Sequence, residues 1–122
     1  MRKVKLLIVE DEAMFAMVLK NILQLQGYQV CEPVSTGLAA IQAVIDEQPE
    51  AVLMDIRLVG EMDGIVAAEQ ILSSRPVPII FMTGYSDEKT EARARALDPA
   101  AFLVKPVTPV ELEPVLNTLF HC

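Results

Sequence analysis

The amino-acid sequence predicts an α/β fold in which five parallel strands form one doubly wound sheet, covered by helices on both faces. Five short apolar segments alternate with five segments of helical hydrophobic periodicity along the chain. The apolar segments are continuous rather than alternating, which is typical of central strands in a parallel sheet. Residues 1–122 contain no recognisable linker, so we expect a single domain with right-handed connections between the strands.

The first half of the chain contains two strand–helix units. Residues Lys5–Val9 predict a buried strand, and the helix after it is expected to end at Gly27. Its predicted buried stripe consists of Phe15, Val18, Leu19, Ile22 and Leu23. The segment YQVCEPV, residues 28–34, predicts the second strand. The second helix is expected to stop near Pro49, with a buried stripe of Leu38, Ile41 and Ile45.

Two further units follow in the same order. The segments AVLMD, residues 51–55, and VPIIFMT, residues 77–83, predict the third and fourth strands. A helix from about Gly64 through Leu72 is expected between them. Residues 87–97 predict an alanine-rich fourth helix, whose outer face is either solvated or a surface for a partner or a second copy.

The last unit is the strand AAFLV, residues 100–104, followed by a helix within residues 108–120. Thr108 and Glu111 have the spacing of a capping box, with Pro109 at the first helical position. Pro114 lies inside the same segment and predicts either a kink or a later start of the helix.

Composition and charge exclude several classes of protein. The chain is 52% hydrophobic and carries a formal net charge of −7, which argues against sequence-independent binding of nucleic acid. No apolar segment approaches the roughly 20 residues of a membrane-spanning helix. The N-terminus turns acidic after four apolar residues, unlike a secretory signal, so we expect a cytoplasmic protein. Cys31 and Cys122 form neither a disulfide framework nor a metal-binding pattern.

Chemically active side chains lie at the carboxyl ends of four of the five predicted strands. Along the chain they are Glu10 and Asp11, then Asp55, then Thr83, and finally Lys105. Ligands of doubly wound sheets bind outside the carboxyl ends of the strands. We therefore expect these side chains to meet in one crevice.

The acids permit two interpretations. Glu10, Asp11 and Glu12 alone are typical of a helix start, where they complement the helix dipole. In a shared crevice, however, two carboxylates about 5 Å apart repel by about 3 kcal/mol at an effective dielectric near 20, which favours a bound cation. Mg²⁺ suits such oxygen ligands. Together with the amine of Lys105 and the hydroxyl of Thr83, the set suits a phosphoryl group, and an aspartate can itself be the nucleophile.

The ordered motifs resemble the receiver domain of bacterial two-component response regulators, and the resemblance covers nearly the whole chain. The motifs are VEDE at 9–12, LMDIRL at 53–58, MDG at 62–64, FMTGYS at 81–86 and FLVKP at 102–106. Each is weak alone, but the ordered set is highly specific. The resemblance implies a CheY-like, (βα)5 flavodoxin-like domain over residues 1–122, with strand order 2-1-3-4-5.

The resemblance also implies roles for individual residues. Asp55 would accept a phosphoryl group from a histidine kinase or a histidine phosphotransferase. Mg²⁺ would bind Asp11 directly, Glu10 through water, Asp55, and the backbone carbonyl of Arg57. Thr83 would bind the phosphoryl group and move toward it.

Further implications concern the end of the sheet at the fifth strand. Lys105 would pair with the phosphoryl group, and the Lys105–Pro106 peptide bond would be cis. Phe102 matches an aromatic residue that swings inward when the threonine moves. The face formed by the fourth helix, fifth strand and fifth helix would then change, toward an unknown output protein or toward a homodimer.

Three features depart from the commonest form of this family. The segment LVGEMDG is one residue longer than usual and lacks a proline. Phe102 replaces the more usual tyrosine and so lacks its hydroxyl group. Arg57 and Tyr85, each two positions after a key residue, stand where members of this family vary. They are candidates for tuning the lifetime of the phosphoryl group, and the alternative for Tyr85 is a partly exposed aromatic residue in a turn.

The sequence favours a signalling module without enzymatic turnover over three other functions. A Mg²⁺-dependent aspartyl-phosphate phosphohydrolase would need a second acid where Arg57 stands. A receiver-like adaptor that works without phosphorylation predicts that Asp55→Asn leaves partner binding unchanged. A nucleotide-binding protein is also disfavoured, because no glycine-rich phosphate-binding motif follows the first strand. The sequence leaves open whether the chain contacts an output protein, relays the phosphoryl group, or is part of a larger protein.

Overall fold

The computed structural model describes residues 3–84 and 87–120, and within them strands and helices alternate strictly. The strands are β1 (Lys5–Val9), β2 (Gln29–Val30), β3 (Ala51–Asp55), β4 (Ile79–Thr83) and β5 (Ala101–Val104). The helices are α1 (Ala13–Leu25), α2 (Gly37–Glu47), α3 (Gly64–Ser74), α4 (Glu88–Arg95) and α5 (Pro109–Phe120). No helix in the described ranges has both the length and the apolar character that crossing a membrane demands.

All strand pairs are parallel, and the sheet has the order β2-β1-β3-β4-β5. The predicted doubly wound fold and its strand order are confirmed. In the register, Val9 pairs with Met54, Asp55 with Met82, and Thr83 with Val104. The carboxyl ends of the four strands β1, β3, β4 and β5 therefore lie close to one another along one edge of the sheet.

The sheet separates two apolar cores. Leu7 and Val9 of β1 face the core shared with α2 and α3, whereas Leu6 and Ile8 face the core shared with α1 and α5. Successive residues of a strand point to opposite faces, so a strand covered on both sides must be apolar throughout. This explains the continuous apolar segments of the sequence.

The second strand is shorter than the prediction of residues 28–34. Only Gln29–Val30 forms β2, and the pairing then continues as isolated contacts. The Cys31 N–H donates to the carbonyl of Leu6, and Val34 forms a single bridge with Val9. Pro33 has no N–H to contribute to a ladder, which explains the interruption.

The predicted stripe of α2 is wrong in part. Leu38 and Ile45 are 70% and 60% exposed, and the residues that face the core are Ala40 and Val44. Both sets have helical spacing, so periodicity alone could not decide which of them faces the sheet. Likewise Val18 of α1, predicted to be buried, is 53% exposed.

The helix α5 resolves the alternative raised by Pro114. The helix begins at Pro109 and continues through Pro114, so its start is not delayed. The Thr108 N–H donates to Glu111 Oε1 at 3.3 Å, as expected for the capping box. Pro114 is exposed, so the carbonyl that its missing N–H would have bonded can be hydrated.

Candidate functional site

Glu10 and Asp55 lie at the carboxyl ends of the neighbouring strands β1 and β3, in the middle of the sheet. They are 2% and 4% exposed, whereas Asp11 is exposed. Glu10, Asp11 and Asp55 each offer one carboxylate oxygen, and these three oxygens lie within 4.8 Å of one another. The register explains this cluster, since Val9 pairs with Met54 and the residue after each of them reaches the same edge.

Lys105 reaches these acids from the loop that follows β5. Its ammonium nitrogen Nζ lies 2.5 Å from Glu10 Oε1 and 3.0 Å from Asp55 Oδ2. The Lys105–Pro106 peptide bond is cis, as the resemblance implied. The Lys105 N–H also donates to the carbonyl of Thr83 at 2.7 Å, which ties this loop to the end of β4.

The pKa values of Glu10 and Asp55 are raised, because the positive charge of Lys105 does not fully offset the effect of burial. Burial raises the pKa of Glu10 from 4.5 to about 7, although the contacts with Lys105 and the Glu12 N–H lower it. Burial likewise raises the pKa of Asp55, against the opposing effect of Lys105. Burial lowers the pKa of Lys105, but its contacts with both carboxylates outweigh that effect and the net pKa is raised. One ammonium group therefore does not fully compensate the two enclosed acids.

The turn after β3 holds Asp55 in position. The backbone N–H of Arg57 donates to Asp55 Oδ1 at 3.2 Å. Gly64, at the start of α3, passes so close that an added Cβ would overlap the carbonyl oxygen of Asp55. The Gly64 N–H donates to the Ile56 carbonyl at 2.7 Å. The glycine thus lets α3 begin directly against the residue that carries the central carboxylate.

Thr83 and Phe102 lie on the part of the sheet that the resemblance assigns to the switch. Thr83 is fully buried and follows Met82, the register partner of Asp55. Phe102 is partly buried, and the guanidinium carbon of Arg95 lies 5.3 Å from its ring centroid. Tyr85, which was expected to tune the phosphoryl lifetime, lies outside the described residues, as does Cys122.

The donor set fits a small divalent cation. Glu10 Oε1 is enclosed and has no hydrogen-bond partner among the described residues, although Lys105 Nζ lies 2.5 Å away. The other oxygen, Oε2, accepts the Glu12 N–H at 2.9 Å. Carboxylate oxygens that combine burial with unused lone pairs suit Mg²⁺. A pocket of about 400 Å³ opens beside Glu10 and Asp11, between α1 and the loop after β2.

Two features of the site were missed by reasoning from the sequence. Phe15 was assigned to the buried stripe of α1, yet its ring centroid lies 5.0 Å from Lys105 Nζ. Asp63 caps α3 by accepting the Val66 N–H and pairs with Arg93 of α4 at 3.2 Å. The motif MDG carried a signal for the cap, since Asp before a helix start is common. No signal in the sequence pointed to its partner on α4.

These observations define a doubly wound, flavodoxin-like protein with an acidic cluster at the carboxyl edge of its sheet that could hold a cation. The model of the response regulator receiver domain matches residues 6–117. The chain belongs to the response regulator receiver domain family.

Two curated relatives are longer than this chain, which matches part of each. The chain is 35% identical over 113 residues to the transcriptional regulatory protein PdtaR of Mycobacterium tuberculosis, covering 93% of this chain and 55% of PdtaR. It is 31% identical over 112 residues to the protein-glutamate methylesterase/protein-glutamine glutaminase of Haloarcula marismortui, covering 90% of this chain and 30% of that enzyme. The chain thus spans about half of the first relative and about a third of the second.

Solved structures show the same architecture. The signal receiver domain of a modulated diguanylate cyclase from Desulfovibrio desulfuricans G20 superimposes with a TM-score of 0.90 at 32% identity, covering 98% of this chain and 95% of that one. A CheY-like receiver domain protein from Methanospirillum hungatei JF-1 gives 0.89 at 28% identity, covering 97% and 94%. Phosphorylation on an aspartate and Mg²⁺ binding in the acidic pocket are general properties of this family in two-component signalling.

Proposed function

We propose that Asp55 accepts a phosphoryl group from a histidine kinase or a histidine phosphotransferase, and that this modification controls a protein-interaction face. The observation that carries the proposal is the ammonium group of Lys105 between two buried carboxylates, beside exposed Asp11. Such a cluster has an accessible mouth for a donor and a fixed cationic group for a phosphoryl oxygen.

Mg²⁺ is part of the proposal. Asp11 and Asp55 would bind it directly, Glu10 through water, and Arg57 through its backbone carbonyl. The cation would neutralise charge on the phosphoryl oxygens during transfer. Burial of Glu10 and Asp55 supports this assignment, because it raises their pKa values in the absence of a further positive charge.

In the transfer step, a carboxylate oxygen of Asp55 forms a bond to phosphorus while the P–N bond of the donor phosphohistidine breaks. The electron pair of the broken bond remains on the donor imidazole. Lys105 would pair with an oxygen of the transferred group, and the hydroxyl of Thr83 would donate to another. Both residues are tied together by the backbone hydrogen bond of 2.7 Å, which keeps their side chains at the same edge.

The interaction face proposed to respond is formed by α4, β5 and α5. Its packing supports this role, because Ala94 is the buried residue of α4 and Val104 of β5 is 53% exposed. Movement of Thr83 toward the phosphoryl group would open space for Phe102 to turn inward. The exposed face would then bind an output protein or a second phosphorylated copy.

The proposal treats residues 1–122 as one receiver domain that acts in the cytoplasm without enzymatic turnover of its own. The esterase activity named for the longer relatives belongs to those proteins, of which this chain covers 30% in the first example. A phosphohydrolase of this fold would require an acid at position 57, and Arg57 cannot act as one.

The proposal is tested by incubating the protein with Mg²⁺ and phosphoramidate or acetyl phosphate, followed by intact-mass measurement. The parent should gain one phosphoryl group, and Asp55→Ala and Asp55→Asn should gain none. Asp98→Asn is the matched control, because Asp98 is exposed and its left-handed backbone is tolerated by asparagine. Chelation of Mg²⁺ should abolish the gain in the parent.

The outcome also separates the alternatives. Sustained release of phosphate from small esters, lost in Asp55→Ala, would establish a phosphohydrolase instead. Equal partner binding by the parent and Asp55→Asn, with no phosphoryl gain, would establish an adaptor that works without phosphorylation.

A further inference from the structure

The outer surface of α2 carries large apolar side chains that the core does not use. We define the α2 face by Leu38, Ile45 and Val59, which are 70%, 60% and 60% exposed. Leu38 and Ile45 are seven positions apart and lie on the same side of the helix. The opposite side of α2 packs on the sheet through Ala40 and Val44. The apolar residues of the α2 face therefore contribute little to folding.

The loop between β3 and α3 extends this face into a cleft. Thr36, which caps α2, forms a parallel bridge with Val59 of the loop, so the loop runs beside the first turn of the helix. Between them lies a pocket of about 420 Å³ whose walls include Leu38, Val59 and Met62. The loop residues Val59, Gly60 and Glu61 form the outer wall of this pocket.

The exposed charges around the α2 face are mainly acidic, although Glu47 pairs with Lys5 of β1 at 3.7 Å. Arg57 is the only basic residue between positions 32 and 74, a stretch that includes all of α2, the loop and α3. The exposed acids on the two helices and the loop are Asp46, Glu47, Glu61 and Glu69. Like charges disfavour a second copy bound face to face, and they also disfavour anionic lipid surfaces and nucleic acid.

We propose that the α2 face is a docking site for a protein segment that combines large apolar residues with flanking lysine or arginine. The apolar side chains would fill the cleft between Leu38 and Val59. The basic residues would pair with Glu61 at the rim and with Asp46 along the helix. The site is separate from the α4–β5–α5 face, and its occupancy does not depend on phosphorylation of Asp55.

The test is an unbiased selection of random linear peptides displayed on phage against the purified parent protein, without Mg²⁺ or a phosphoryl donor. The enriched peptides should carry net positive charge around large apolar residues. Synthetic copies are then titrated by fluorescence anisotropy. Leu38→Ser and Val59→Ser should each weaken binding by about tenfold, as for a central apolar contact.

Charge and position are tested separately. Glu61→Lys should weaken binding about threefold or more and reduce its salt dependence. Met14→Ser is the matched control, because Met14 is 81% exposed but lies on α1, and it should leave the affinity unchanged. Asp55→Asn should also bind as the parent does, which keeps this test independent of the proposed phosphorylation.

Several outcomes would overturn the proposal. One is a selection that enriches no peptide, or enriches neutral or acidic ones. Another is binding that survives Leu38→Ser and Val59→Ser but is lost in Met14→Ser. Self-association of the parent in sedimentation, abolished by Leu38→Ser, would assign the α2 face to a second copy of the chain instead.

Discussion

The two halves of the site rest on parts of the sheet that are packed very differently. The strands β3 and β4, which carry Asp55 and Thr83, are buried at every position. In contrast, β5 is only partly buried, and α4 beside it buries Ala94. The carboxylates are therefore held in place by the core, whereas the neighbouring edge is free to move at small cost.

Surface contacts take the place of a core at this edge. Arg93 pairs with Asp63 at 3.2 Å, and Arg95 lies over Phe102 at 5.3 Å while bonding Glu91 at 2.7 Å. Exposed ion pairs and cation–π contacts contribute roughly 1 kcal/mol or less each. A modification that changes the charge at Asp55 can therefore compete with the contacts that hold α4 and β5 in place.

The largest expected effect comes from shortening a side chain in the buried strand β3 and comparing it with a similar change in the partly exposed strand β5. Leu53→Ala, in the centre of β3, should lower the free energy of unfolding by about 2–5 kcal/mol, because Leu53 is fully buried. Val104→Ala, at the exposed end of β5, should cost less than about 1 kcal/mol. Urea unfolding with unchanged m-values checks both. Equal losses would show that the edge is packed as tightly as the centre.

The next largest effect is expected where α3 approaches the end of β3, at Gly64 and Asp55. Gly64→Ala places a Cβ against the carbonyl of Asp55, so β3 or α3 must shift. We expect a loss of about 2 kcal/mol or more in stability and a reduced phosphoryl gain in the intact-mass assay. Gly84→Ala is the stability control, since no atom of residues 3–84 or 87–120 lies within 4 Å of an added Cβ there. A stable, fully phosphorylated Gly64→Ala would contradict the account of this turn.

A smaller effect is the dependence of stability on pH that arises from Glu10. Glu10 has a pKa of about 7 in the folded protein and an ordinary value of 4.5, so the native state binds the extra proton. Stability without Mg²⁺ should therefore fall as pH rises from about 4.5 to about 7. Mg²⁺ binds the charged form, so it should stabilise the protein more at about pH 8 than at about pH 5.

Thermal unfolding with and without MgCl₂ across this range measures the effect. Glu10→Gln cannot titrate and should flatten the fall without Mg²⁺. A parent whose stability does not change between these pH values would show that Glu10 is not held in a proton-binding environment.

The smallest effect concerns α4. Arg93→Ala removes the ion pair to Asp63 and should cost less than about 1 kcal/mol in global stability. Amide hydrogen exchange within α4 should nevertheless become faster, because the helix has little buried surface to hold it. Lys89→Ala is the control on the same helix, since Lys89 is exposed. Unchanged exchange in Arg93→Ala would show that the ion pair with Asp63 does not hold the helix.

The same contrast explains which features could be predicted from the sequence. Buried parallel strands must be apolar throughout, so β1 and β3 were located to the residue and the acids that follow them were expected to meet. The approach of Lys105 to Glu10 and Asp55 confirms that expectation. The predicted roles of these residues in phosphoryl transfer and metal binding stay predictions.

Surface features were harder to predict because they depend on packing distance rather than on periodicity. In α2 the pattern of Leu38 and Ile45 is helical, yet the smaller Ala40 and Val44 face the sheet. Periodicity gives more weight to large apolar residues, but it does not determine which side of a helix turns toward the sheet. The overlap that a Cβ at Gly64 would create is likewise a tertiary distance, which no local pattern encodes.

The apolar central strands have a consequence for the unfolded chain. Segments such as Leu6–Val9 and Ala51–Met54 combine β-branched and large apolar residues without an internal charge, which is typical of aggregation-prone sequences. Glu10 and Asp55 follow these segments immediately and place a charge at their ends, as gatekeeper residues do. The same carboxylates that cost stability when the domain is folded therefore protect it from self-assembly during synthesis and refolding.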